Sequence, residues 1–202
     1  MMLLHSSPAS PFVRKVRLAA AVVGLDDQIR VEDVDTRAPP PDFWRENPAG
    51  RIPVLVLDDG TALHDSRVIV EYLDHLAGGD RLIPADPVQR FPVLTLQALA
   101  DAITEAALVQ VYEGRFRPEA RRQPDWVAWQ AAKVARGLES LELAPPADPA
   151  RADVGCIALA CALGYLDLRF AGRWRADHPA LAAWLAAFSA AVPAFEATRP
   201  PG

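Results

Sequence analysis

Two short stretches hold residues whose types and spacing can do chemistry. The first runs Asn47-Pro48-Ala49-Gly50-Arg51-Ile52-Pro53 into the apolar Val54-Leu55-Val56-Leu57, and the second is Leu63-His64-Asp65-Ser66 at the head of an amphipathic run. A proline at the mouth of a β-branched strand has no N–H to give to a sheet ladder. In the cis form it turns the preceding N–H and C=O outward, where a peptide-like ligand can pair with them. Asp65 and Ser66 add polar side chains and the free N–H groups of a helix start. Together these groups suit a small anionic peptide.

The flanking elements have to hold these groups in place. Leu3-Leu4-His5 predicts a short strand, and Pro8 and Pro11 bracket a loop. Phe12, Val16, Ala19, Ala20 and Val23 recur on one side of a helix, with Arg14 and Arg17 on the other. Ser10 is its natural N-cap, Pro11 its first residue and Gly24 its stop. Residues 29–34 alternate as a strand does, Pro39-Pro40-Pro41 breaks the chain, and 42–46 suit one irregular helical turn. Val54 to Leu57 is a strand, Asp58-Asp59-Gly60 a hairpin turn, and Thr61-Ala62-Leu63 the return. Val68, Ile69, Tyr72, Leu73 and Leu76 mark a helix ending at Gly78-Gly79. The order β-α-β-α-β-β-α predicts a small mixed sheet with helices packed on it.

Past residue 80 the strand signals vanish. Leu82-Ile83-Pro84 reads as a linker. Helices are predicted from Asp86-Pro87 to about Gly114, from Pro124 or Asp125 to about Leu143, over 153–170, and over 179–188, with a short piece near 193–196. The expected division is an α/β domain over 1–78, a linker over 79–86 and an all-helical domain over 87–202.

Composition narrows the function classes. The chain has 202 residues, 51% of them hydrophobic, a formal charge of −5 and a pI near 5.4. It has no dense basic tract, which disfavours nucleic acid as a partner. The cluster from Arg115 to Arg122 reads as a solvated face. Cys156 and Cys161 lie five apart on opposed helix faces, so a disulfide between them is not expected, and both are expected buried and inert. No Cys/His spacing resembles a zinc site, and no metal is expected. The apolar start is too short for a signal peptide, and apolar stretches such as 154–166 fall short of a membrane span. A soluble cytoplasmic protein without a membrane partner is the expectation. Trp126, Trp129, Trp174 and Trp184 are expected to be packing residues.

The ordered pieces Ser10-Pro11-Phe12-Val13-Arg14-Lys15-Val16-Arg17, Asn47 to Leu55, Leu63-His64-Asp65-Ser66, Ile69 with Tyr72-Leu73, Ala152-Asp153-Val154 and Pro179-Ala180-Leu181 with Trp184 span nearly the whole chain. In that order they resemble the soluble glutathione transferase family, and within it a serine-type bacterial member. The resemblance implies a thioredoxin-like N-terminal domain followed by an all-α domain. It implies glutathione as co-substrate and conjugation of a small apolar electrophile, with detoxification as the setting and a homodimer as the assembly. Ser10 takes the position whose hydroxyl faces the glutathione sulfur, with Ser7 and then Ser6 as runners-up. Pro53 takes the place of the family's cis-proline, so that Ile52 pairs its backbone with the cysteinyl part of glutathione. Asp65 and Ser66 take the place of the pair that holds the γ-glutamyl end, although Glu or Gln is commoner than Asp there. Arg51 is placed to meet the glycyl carboxylate. Phe12, Tyr112, Arg115 and Phe116 are the implied acceptor-site residues.

The resemblance also places a Ser or Thr cap at position 150, where this chain has Ala, an expected loss of about 1 kcal/mol. Rival activities within the same likeness are a non-catalytic glutathione-binding or scaffold protein and a glutathione-dependent isomerase. Thiol–disulfide chemistry is disfavoured, since Ser10 cannot form a mixed disulfide.

Overall fold

The computed structural model describes residues 1–201. Four strands, β1 (Met2–Ser6), β2 (Ile29–Asp33), β3 (Val54–Val56) and β4 (Ala62–Leu63), form one sheet in the order β2-β1-β3-β4. β1 pairs parallel with β2 and antiparallel with β3, and β3 pairs antiparallel with β4. Neighbouring residues of β3 point to opposite faces, as the pleat requires. Leu55 therefore joins the main core, while Val54 packs with Val34 and Phe43 in a small second cluster. Phe43 belongs to the single helical turn α2 (Phe43–Glu46), which covers that second face.

Helices α1 (Pro11–Val23) and α3 (Ser66–Leu76) pack together, and both contribute to the main core. Ser10 caps α1, its Oγ accepting from the Val13 N–H at 3.3 Å, and Gly24 ends the helix in the left-handed conformation at φ 74°. The expected order of elements is therefore present. Three single turns of 3₁₀ helix, over 26–28, 119–121 and 173–175, carried no periodic signal of their own.

The second half is helical throughout: α4 (Pro87–Phe116), α5 (Pro124–Leu143), α6 (Val154–Phe170), α7 (Pro179–Ala191) and α8 (Ala194–Ala197). The apolar α6 runs through its centre, buried almost continuously from Val154 to Leu166. It packs on α4 where Gly155 lies; a Cβ at that position would sit 2.8 Å from the Val93 carbonyl oxygen. The segment between the halves is itself packed. Leu82 and Ile83 are buried, and the Asp74 carboxylate accepts from the N–H groups of Arg81 and Leu82 at 3.0 and 2.6 Å.

Four expectations are corrected. Arg14 does not face solvent: only 5% of it is exposed, its Nη2 donates to the Phe195 carbonyl at 2.7 Å, and its guanidinium lies 4.0 Å from the Phe195 ring centroid. The reason is tertiary, because α1 is covered by α3 on one side and by α6 and α8 on the other. Trp126 and Trp129 are not core residues; both are about half exposed, with ring centroids 5.1 Å apart and Lys133 Nζ 3.7 Å from the Trp129 ring. Trp174 and Trp184 are buried as expected. The α6 cap is not missing: Asp153 is itself the N-cap, accepting from the Cys156 N–H at 2.9 Å and pairing with Arg151 at 2.8 Å. Position 150 lies outside the helix. Finally, α4 rather than 154–166 is long and apolar enough to cross a membrane, by length and composition alone. Its Val93, Ala100, Ile103 and Ala107 are buried in the core shared with α6, so much of that apolar surface is already taken up within the protein.

One buried ion pair is central among the polar contacts that cross between the halves. Lys15 Nζ on α1 meets both Asp101 oxygens on α4 at 2.7 and 2.9 Å, with 1% and 5% of the two side chains exposed. Removing one partner of a buried pair leaves a charge without compensation. Asp101→Asn is expected to destabilise the protein by about 3–5 kcal/mol, whereas a double replacement by Met and Leu is expected to recover most of that loss. Chemical denaturation of the two variants beside the unaltered protein checks both. Burial pushes the Cys161 thiol up to about 11 and raises Cys156 further. Because only the thiolate reacts, a thiol reagent at neutral pH is expected to label neither cysteine until the chain is unfolded.

Candidate functional site

The sheet register decides which loops meet. His5, next to the end of β1, lies opposite Val54 at the start of β3. The loop leaving β1, with Ser7 and Ser10, is thereby set beside Ile52-Pro53. β4 runs antiparallel to β3, so the chain leaving Leu63 returns to the same end and delivers His64, Asp65 and Ser66 there. Three segments distant in sequence thus share one end of the sheet, where they line one wall of a cavity of about 870 Å³. That volume lies in the range of small-molecule sites.

Ser10 and Ser7 both line this cavity, and Ser6 is buried away from it at the end of β1. The backbone turns tightly here, Ser10 N–H donating to the Ser7 carbonyl at 2.9 Å. Since Ser10 Oγ accepts from Val13 N–H, its own proton remains free to be donated into the cavity. The positive dipole end of α1 lies at the same place, although Pro11 has no N–H and the Val13 N–H is already taken by Ser10.

The Ile52–Pro53 peptide is cis, as the resemblance implied. Asn47 holds the loop before it. Its side-chain amide donates to the Arg51 carbonyl at 2.7 Å and its Oδ1 accepts from the Ala49 N–H at 3.0 Å. The turn closes at Gly50, at φ 64°, where a Cβ would sit 2.6 Å from the Trp44 ring. Arg51 is exposed on the rim, Ile52 half-buried and Pro53 buried.

Asp65 is the N-cap of α3, its Oδ1 accepting from the Arg67 N–H at 2.9 Å. Ser66 follows as the first residue of the helix and is buried. Arg67 Nε then lies 3.3 Å from Asp101 Oδ2 and 3.9 Å from Asp65 Oδ2. With the buried Lys15 behind them, these make a chain of four charged groups, of which Asp65, Arg67 and Asp101 line the cavity.

The opposite wall comes from the helical half. Tyr112 and Phe116 meet edge to face, with centroids 5.0 Å apart, and both remain substantially exposed. Arg115 and the half-buried Phe12 join them in lining the cavity. Apart from the runner-up Ser6, every residue singled out as a site candidate in the sequence lines this one cleft. Sequence reasoning missed Lys15, Arg67, Asp101, Tyr165 and Arg169. Lys15 lay inside a quoted motif, but its partner is 86 residues away. Tyr165 and Arg169 sit near the end of a helix whose apolar run masks them. Among the described residues, no three His, Cys, Asp or Glu side chains are grouped to hold a metal ion.

Comparison with known proteins gives concordant results. Residues 4–81 match the glutathione S-transferase N-terminal domain. The chain is 35% identical over 186 residues to the uncharacterised GST-like protein YibF of Escherichia coli (strain K12), covering 89% of this chain and 90% of that one. A glutathione transferase family member from Pseudomonas fluorescens Pf-5, crystallised with bound glutathione, is 41% identical, with all of both chains covered and a TM-score of 0.93. A second crystal structure of a family member from that organism, holding S-(propanoic acid)-glutathione, aligns at 40% identity, again over all of both chains, with a TM-score of 0.88. A mixed α/β domain followed by an all-helical one, and likeness of this degree along the whole length, establish that the chain belongs to the glutathione S-transferase family.

Proposed function

We propose that this protein is a serine-type glutathione transferase of the bacterial kind, which stabilises the glutathione thiolate for attack on a small apolar electrophile. The observation that carries this is the convergence of Ser10, Ile52-Pro53 and Asp65-Ser66 on one wall of a cavity whose other wall is aromatic. The glutathione bound in the Pseudomonas relative supports it. The N-terminal domain (1–78) holds glutathione, and the helical domain (87–202), joined through 79–86, supplies the acceptor side.

Each residue has a chemical role in this reading. Ile52 offers its backbone to the cysteinyl part of glutathione. The Ser66 hydroxyl and N–H hold the γ-glutamyl carboxylate at the positive end of α3. Asp65 keeps Oδ2 for the α-ammonium while Oδ1 caps the helix. Arg51 meets the glycyl carboxylate from the rim. Ser10 donates its hydroxyl proton to the sulfur. A free thiol of this type has a pKa of about 8.5, and lowering it by two units takes about 2.7 kcal/mol. A hydrogen bond to a charged acceptor together with the helix-end field supplies an amount of that order. The thiolate then forms the new C–S bond, and the electrons displaced from the electrophilic carbon leave with its leaving group or pass to the neighbouring atom.

Ser10→Ala is expected to raise the apparent pKa of bound glutathione's thiol by about one to two units, read by thiolate absorbance against pH. An unchanged titration overturns the role of Ser10 and moves it to Ser7.

The same reading makes the protein a cytoplasmic homodimer. Supporting this, α3 and the start of α4, tied by Arg90–Glu71 at 3.2 Å, carry the exposed apolar residues Val68, Val88 and Phe91. Sedimentation is expected to give twice the chain mass; a monomer at micromolar concentration refutes the assembly.

A further inference from the structure

Five arginines line the cavity: Arg37, Arg51, Arg67, Arg115 and Arg169. Two are already engaged. Arg37 grips both oxygens of Asp35 at 3.0 Å, and Arg67 is held by Asp101 and Asp65. Arg51 sits on the glutathione wall. Arg115, from α4, and Arg169, from α6, are different: among the described residues no carboxylate oxygen lies within 4.0 Å of either.

From separate helices, both guanidiniums line the same cavity and both lie within electrostatic reach of Tyr165. Arg169 lies 5.9 Å from the centroid of the buried Tyr165 ring. Burial pushes the Tyr165 hydroxyl above its ordinary range, and the positive charges of Arg169 and Arg115 oppose that shift. Tyr112, one turn before Phe116 on α4, faces the same space.

Charge is also sorted along the cleft. Asp101 and Glu105 stand at one end of the α4 wall, and Arg115 lies ten residues beyond Glu105, about 15 Å along the helix. Asp35, the carboxylate whose charge reaches Arg115, is neutralised by Arg37. Lys15 and Arg67 already neutralise Asp101, whereas Arg115 and Arg169 have no carboxylate partner among the described residues, so their end of the cavity suits an anion.

We propose that the acceptor is an electrophile with a flat apolar body and a carboxylate, the body lying against Tyr112, Phe116 and Tyr165 and the acid received by Arg115 and Arg169. This rests on the glutathione-transferase reading and names its substrate class. The physical reason is selective desolvation. Two solvated guanidiniums cost nothing in an open cleft. A neutral acceptor filling the cleft strips their water and gives them no partner, whereas a carboxylate accepts from both. Arginine's planar fork suits that geometry better than a lysine would.

The test is a matched pair of acceptors, 4-chloro-3-nitrobenzoate and 4-chloro-3-nitrobenzamide. In both, glutathione sulfur bonds to the ring carbon bearing chlorine and chloride leaves with the bonding electrons. Each enzymic kcat/KM is divided by the uncatalysed rate constant with glutathione. The benzoate is expected to be favoured by about tenfold or more, and Arg115→Gln and Arg169→Gln are each expected to lower the benzoate-to-benzamide ratio by about tenfold, chiefly through KM for the acid. Calorimetric binding of the two finished conjugates reads the same preference without turnover.

Equal use and equal binding of the pair overturn the proposal. So does a rise in KM for glutathione in the variants with the acceptor ratio unchanged, which assigns the arginines to the glycyl carboxylate. The absence of any glutathione-dependent rise in Tm, with neither acceptor consumed, overturns instead the glutathione-transferase reading beneath it.

Discussion

The cleft depends on one buried ion pair. Lys15 projects from α1 and Asp101 from α4, so their contact joins the two halves of the molecule beside the cavity. Both charges are removed from water, and neither is tolerable there without the other. Asp101 also holds Arg67 at the start of α3, so one carboxylate ties together three helices that border the cavity. Such a pair adds little net stability compared with a well-packed apolar contact, but it tolerates few alternative geometries. That intolerance is what a site built across two domains needs.

On this frame the two walls perform different work. The N-terminal wall consists mainly of backbone and helix ends: the starts of α1 and α3, the capped turn at Asp65, and the loop that Asn47 clamps before Pro53. Fixed dipoles and N–H groups of this kind suit an invariant, charged, peptide-like ligand. The helical wall consists of side chains, namely Tyr112, Arg115, Phe116, Tyr165 and Arg169, whose replacement alters the shape and charge of the cleft without disturbing the sheet. A constant co-substrate on the rigid wall and a variable acceptor on the other is the division of labour we propose.

The core around α6 explains why the charged groups can be so exacting. From Val154 to Leu163 the helix is apolar all round and buried, and it approaches α4 closely through Gly155. Burial of Cys156 and Cys161 within it removes their thiolates from neutral-pH chemistry, so the sulfur chemistry of the proposed reaction belongs to the ligand. Arg14 is the cost of this packing. It is buried beneath Phe195, its charge disfavoured by desolvation and held by a single carbonyl at 2.7 Å.

Much of this was legible in the amino-acid order alone, because the signals are local. Period-two and period-3.6 patterns, Ser10-Pro11, Asp58-Asp59-Gly60 and Asp86-Pro87 each act within a few residues of themselves, and the elements form where those signals lie. The ordered motifs also carried the family and named Ser10, Arg51 to Pro53, Asp65 and Ser66. Misjudged were features set by what lies opposite. Periodicity puts Arg14 on a polar face and cannot register that α6 and α8 cover it. A tryptophan's size argues for burial, yet Trp126 and Trp129 stay about half exposed on α5. The pairing of Lys15 with Asp101, and the placing of Arg115 and Arg169 in one cavity within reach of Tyr165, arise between segments far apart in the chain. Electrostatic contacts of that kind depend on distance in space, so folding alone decided them.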